Sequence, residues 1–176
     1  MKKVLTTLLC VMSFICVKAQ TLETADKSYG EGYAITVILP TVENFITLAS
    51  LSESEFEEVM KKYKYFEEDS EGRYRSFWNG TLDNFAYAQC VNTFLYDIIS
   101  ERIRFMMEID MAYPSSCITD LYRKLKPYYK QSKMTPDGFN VELFGFKINS
   151  WAYYITIYNN GERYDISAWR EKIKNK

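Results

Sequence analysis

Four aspartates, Asp83, Asp97, Asp110 and Asp165, fall near the ends of predicted strands and are the groups in this chain best suited to acid–base work. Two carboxylates flanking one cleft suffice for a retaining or inverting glycosidase. Asp83 sits in FWNGTLDNFAY, residues 77–87, which also contains the sequon Asn79-Gly80-Thr81. Acidic residues at strand ends more often cap turns. The Asn-Gly step, which accepts positive φ, reads as a hairpin connection over residues 79–84.

The chain contains no histidine. That removes Ser-His-Asp and Cys-His catalysis, histidine-ligated zinc and histidine pH switching together. There is no G-x-S-x-G elbow and no glycine-rich phosphate loop. Glu67-Glu68-Asp69 lacks the alternating ligands of an EF-hand and reads as a solvated helix end. No catalytic residue, no metal site and no cofactor is therefore expected, and the chain reads as a non-enzyme.

Residues 1–19 open with two lysines, Lys2 and Lys3, and continue with an apolar run over 4–17 and, around Lys18, small residues before Gln20. This is the pattern of a cleavable signal peptide, with cleavage after Ala19, and the run is too short for a membrane anchor. Cys10 and Cys16 lack the preceding small residue of a lipoprotein signal. The segment resembles the leaders of exported proteins of Gram-negative bacteria, particularly the Bacteroidota, which implies a periplasmic or extracellular protein. The mature chain has 176 − 19 = 157 residues and a net charge of 19 − 23 = −4. It is long enough to bury a core, carries no second membrane-length run, and is too acidic to favour nucleic acid. Cys90 and Cys117 remain in it. In an oxidising compartment they are candidates for a disulfide, the alternative being two buried thiols.

The elements that must position these groups follow from local patterns. Residues 20–32 are polar and read as a flexible lead-in. Residues 33–39 are β-branched and stop at Pro40, as a strand does, and a short helical turn follows. Ser52 and Glu55 form a capping box and Leu51 and Phe56 a hydrophobic staple. Phe56, Val59, Met60 and Tyr63 then recur on one helical face. Strands are expected over 73–78, 85–97 and 102–110, the last alternating strictly. Ile118, Leu121, Tyr122 and Leu125 mark another helix, ended near Lys126 by Pro127. Strands over 139–146, 151–158 and 164–166 follow, with an Asn159-Asn160-Gly161 turn, and residues 168–176 read as a short charged helix or a frayed tail.

Sliding the chain by 129 − 63 = 66 residues lays helix on helix and hairpin on hairpin. The offset predicts a tandem β-α-β-β repeat, residues 33–98 and 99–167, in one domain over 33–176. The fold class expected is α+β, a mostly antiparallel sheet with two helices on one face. This layout resembles that of the β-lactamase inhibitory proteins, which implies an exported protein that grips a protein partner with an open sheet face. It is also similar to the paired-module glyoxalase and bleomycin-resistance fold, whose usual metal ligands cannot be assembled without histidine.

Strand alternation assigns the open face. It predicts Tyr74, Trp78, Arg102, Arg104, Phe144, Tyr154 and Tyr158 as outward residues, Phe144 lying beside Trp78 through the repeat. These types are enriched at interface hot spots. The function expected is a binding protein, of the inhibitor or immunity kind, for a protein partner. The alternative is a carbohydrate-binding or glycan-processing module, since aromatic rings beside carboxylates and amides also suit sugars.

Overall fold

The computed structural model describes residues 21–29, 33–68, 74–82, 88–108 and 116–174. The expected signal peptide, Asp83, Asp110 and both lead-in glycines, Gly30 and Gly32, lie outside them. The fold is α+β. An eight-stranded sheet has the order β3 (Phe66–Glu68), β4 (Tyr74–Leu82), β5 (Ala88–Asp97), β6 (Arg102–Glu108), β10 (Arg163–Lys172), β9 (Trp151–Asn159), β8 (Asn140–Ile148), β7 (Tyr129–Met134). Every neighbouring pair is antiparallel. β1 (Thr24–Tyr29) and β2 (Tyr33–Ile38) form a separate two-stranded sheet.

Three helices are described: α1 (Val42–Leu48), α2 (Glu53–Lys62) and α3 (Cys117–Leu125). The capping box of α2 forms as read: Ser52 N–H donates to Glu55 Oε2 at 3.0 Å and Glu55 N–H to Ser52 Oγ at 3.4 Å. Together the two bonds satisfy backbone donors that a helix start leaves orphaned. α3 stops at Leu125 and tightens into a 3-10 turn over Lys126–Tyr128, because Pro127 has no N–H to continue the ladder.

The helical stripes and the inward strand residues meet in one cluster. Phe45, Phe56, Met60, Leu121 and Leu125 pack against Phe77, Phe94, Phe105, Ile155 and Ile166, all essentially excluded from water. Edge-to-face rings fix their arrangement, with Phe56 on Phe77 at 5.8 Å and Phe45 on Phe105 at 6.0 Å. At one rim Arg75 ties α2 to the sheet through Glu53, Glu57 and Glu67.

Several expectations are corrected. The β-α-β-β repeat is not shown: the strand at 33–38 pairs with β1 instead of entering the main sheet. Part of the lead-in, Thr24–Tyr29, is itself a strand, held by six register pairs with β2. Residues 168–172 continue β10 and form no helix. The sheet also gains β3 and β7, which are too short or too polar to announce themselves. Asn79-Gly80 is no hairpin turn, because β4 runs on to Leu82 with a register shift, a β-bulge, between those two residues. Gly161, at φ +86°, does supply the positive φ expected of the Asn159-Asn160-Gly161 turn.

Candidate binding face

The face of the sheet away from the helices is built by the strand residues of opposite parity to the core. Its centre lies where β6, β10 and β9 meet. Ile103 pairs with Ala168 and Ala168 with Ile155, all three buried, so Arg102, Trp169 and Tyr154 fall beside one another on the reverse side. Tyr154 stacks on Trp169 with ring centroids 5.3 Å apart and planes within 22°. The Arg102 guanidinium lies 4.3 Å from the Trp169 ring centre, a cation–π contact. The indole is thus flanked from both neighbouring strands, and its Nε1–H donates to Glu171 at 3.2 Å.

Beyond Tyr154 the row continues to Gly145 in β8, paired with it across the strands. A methyl at Gly145 would come within 3.2 Å of Lys130 and 3.3 Å of Tyr154. Glycine here therefore lets Lys130 and Tyr154 close over the backbone.

One step along, Arg104 meets Asp165. Nε donates to Oδ1 at 2.7 Å and a terminal nitrogen to Oδ2, a bidentate fork with both carboxylate oxygens engaged. Asp165 is 8% exposed while the Arg104 side chain is 44% exposed, so the cation marks the surface. Between these groups lies a shallow depression of about 370 Å³, lined by Leu95, Asp97, Arg102, Arg104, Tyr158 and Asp165 among others. Asp97 Oδ1 accepts from the backbone N–H groups of Ile99 and Ser100, at 3.1 and 3.2 Å, and Oδ2 from the Ser100 hydroxyl at 2.7 Å. It holds the β5–β6 turn. The two described aspartates of the sequence-derived set are therefore engaged, Asp165 by a cation and Asp97 by a turn.

Of the seven expected contact residues, Arg102, Arg104, Tyr154 and Tyr158 gather here. Tyr158 is tethered at the margin, its hydroxyl donating to Asp137 at 3.1 Å beside Phe139. Trp78 is on the same face but at the β3 end, its ring tilted against the exposed Phe66 with centroids 5.1 Å apart. Tyr74 opens β4 opposite Asp97, and its side chain lies outside the described residues. Phe144 is a correction. It pairs with Ile155, is 2% exposed, and packs under Tyr122 and Tyr129 on the helix side. The offset that laid it on Trp78 is out of phase there by one residue, and in a strand one residue exchanges the faces.

Trp169, Ser167 and Phe66 were missed. Ending the strand at 166 hid Ser167 and reading 168–176 as a helix or frayed tail hid Trp169, although Ile166 and Ala168 inward with Asp165, Ser167 and Trp169 outward is a strand alternation.

Asn79 is buried at 2% and its Nδ2 donates to Thr36 O at 2.7 Å, pinning the β1–β2 sheet to β4. The sequon asparagine thus has a structural occupation. Cys117 is a buried free thiol in the first turn of α3, and burial pushes its pKa up. Cys90 lies in β5 with its side chain outside the described residues. Among the described residues no cluster of three His, Cys, Asp or Glu could hold a metal ion. No described helix is long and apolar enough to cross a membrane.

No protein-family model, curated protein or solved structure matches the chain.

Proposed function

We propose that the protein is exported, is cleaved after Ala19, and acts without catalysis as a binding protein that captures a protein partner on this sheet face, in the manner of an inhibitor or immunity protein. One observation carries the reading: the Arg102–Trp169–Tyr154 row beside the Arg104–Asp165 fork, pre-assembled on a face where the rings and both arginines remain partly exposed. Tyr, Trp and Arg held rigid before binding lose little entropy on association, which is the economy of an interface hot spot. A sugar would need an aromatic ring with a free side, and both sides of the Trp169 indole are taken by protein groups. That favours a protein over the glycan alternative.

The eight-stranded sheet divides into two halves of like element order. Each half runs helix then four antiparallel strands, α2 with β3 to β6 and α3 with β7 to β10, and the halves meet at the β6–β10 seam. The contact row crosses that seam.

A photo-crosslinking amino acid at Ser167, on the face, and at Lys61, on the helix side, tests the proposal in the host cell. Adducts to a discrete protein from position 167 alone are expected. Equal adducts from both positions, or robust glycan-array binding by the purified protein, would overturn it.

A further inference from the structure

Among the described residues the eight-stranded sheet ends in β7, and all six residues of β7 are exposed. The opposite edge is the three-residue β3. A free edge offers a row of backbone donors and acceptors to which an extended chain can add as another strand.

The charge around β7 says which chain. Residues 123–134 hold five cations, Arg123, Lys124, Lys126, Lys130 and Lys133, and no acid, in a protein whose whole sequence has net charge −1. Two copies of β7 laid edge to edge would set lysine against lysine, so self-pairing is penalised. The same lysines attract an acidic strand.

The register divides the strand into two sides. Ser132 pairs with Glu142, and Glu142 with Ile157, which is core, so Tyr129, Ser132 and Met134 lie on the helix side. Gln131 and Lys133 face the other way, as does Lys130, which lies over Gly145. On the helix side a cleft of about 630 Å³ opens between α3 and the edge, walled by Tyr122, Tyr129 and Phe144 with Arg123, Lys126 and Glu142 around them. The Tyr122 pKa is driven far up, by burial first and then by the Glu142 carboxylate. Arg123 pairs with Asp120 at 2.9 Å.

We propose that β7 accepts an extended acidic segment of a partner as a ninth strand. Carboxylates at alternate positions meet Lys130 and Lys133 on one side, and aromatic or aliphatic residues between them enter the cleft over Tyr129 on the other. The site is the sheet's edge, two strands beyond Tyr154, and although Lys130 borders the open face at Gly145, a peptide adding to β7 is read separately from capture at the Trp169 row.

The probe is a fluorescein-labelled peptide of sequence EFEVEL, followed by fluorescence anisotropy against the full mature protein. Two peptides accompany it: its lysine counterpart KFKVKL, and EFEVEL with alternate backbone amides N-methylated. Saturable binding of EFEVEL alone is expected, falling as salt rises and weakened by about tenfold in a K130E/K133E variant, since two exposed ion pairs together are worth roughly that factor. Both positions are exposed, and an unchanged circular dichroism spectrum certifies the variant. Should the variant unfold, the salt titration of the unaltered protein gives the same decision. Equal binding of the lysine peptide would overturn the charge argument, and equal binding of the methylated peptide would overturn strand addition. So would a stable dimer in sedimentation that K130E/K133E dissociates, because a second copy would then own the edge.

Discussion

The two faces of the eight-stranded sheet draw on similar aromatic stock and put it to opposite use. Under the helices, Phe56 meets Phe77 and Phe94 edge to face, Phe94 tilts against Phe105, and all four are shut off from water. On the reverse, Trp169 and Tyr154 stack in company with Arg102, close to the Arg104–Asp165 fork, and keep part of their surface exposed. Alternation alone separates them, since each strand contributes to both sides. The lesson is that aromatic content does not distinguish core from contact surface. The companions do: phenylalanine with aliphatics makes a core, and rings with arginine and a paired carboxylate make a surface.

The largest effect that should separate the faces is Phe105→Ala. Phe105 is fully buried between Phe45 and Phe94, and removing such a ring costs about 3–5 kcal/mol through lost transfer energy and the cavity left behind. Urea unfolding should show the midpoint fall by that equivalent. A loss below ~1 kcal/mol would mean that the covered face is not the core.

Next comes Asn79→Leu, which keeps the branched shape at the buried Asn79 position but takes from Thr36 O the partner of a part-buried hydrogen bond. An orphaned buried polar group costs about 1–3 kcal/mol. Amide exchange should quicken in β1 and β2 more than in β9, because the lost bond is the one that pins that small sheet to β4.

On the open face the costs should be smaller and the binding consequence larger. Arg104→Ala leaves Asp165 nearly buried without its fork. A fully buried pair loses about 3–5 kcal/mol when one partner is removed, but the exposed guanidinium here reduces that to roughly 1–2 kcal/mol. Trp169→Ala should cost about 1 kcal/mol, the worth of one stack and one cation–π contact, and should abolish crosslinking from position 167. If Trp169→Ala unfolds the protein as Phe105→Ala does, the distinction between the faces collapses.

The covered face was the more legible of the two. Phe56 and Met60, or Leu121 and Leu125, recur at helical spacing, and Ser52 with Glu55 announces a helix start, because both signals are local. The open face depends on register, which is set by bulges that leave little trace in sequence. The shift at Tyr129/Gln131, where Lys130 is the extra residue ahead of β8, is what an ungapped sixty-six-residue offset could not represent, and Phe144 was assigned the wrong side. β7 was invisible for another reason: with both sides exposed it has no alternation to read.

The smallest effect concerns the layer that lies over the covered face. Lys124 Nζ donates to both oxygens of Glu43 at 2.9 Å, joining α1 to α3 across 81 residues of sequence. Partial burial works to raise the Glu43 pKa, but the hydrogen bond and charge of Lys124 outweigh it and hold the carboxyl below its ordinary value. A carboxylate depressed in the folded state contributes its stability above the unfolded value, about 4.3, and loses it as pH falls through the folded one. Both side chains are more than 40% exposed, so salt and water discount the pair to under ~1 kcal/mol. Glu43→Gln should therefore lower the unfolding midpoint slightly at pH 7 and leave it unchanged well below pH ~4, where the parent carboxyl is itself neutral. The helices are held on the covered face by Phe45, Leu48, Leu121 and Leu125. A loss at neutral pH approaching that of Phe105→Ala would instead make the helix layer electrostatic, and the contrast between a packed face and a charged one would no longer describe the molecule.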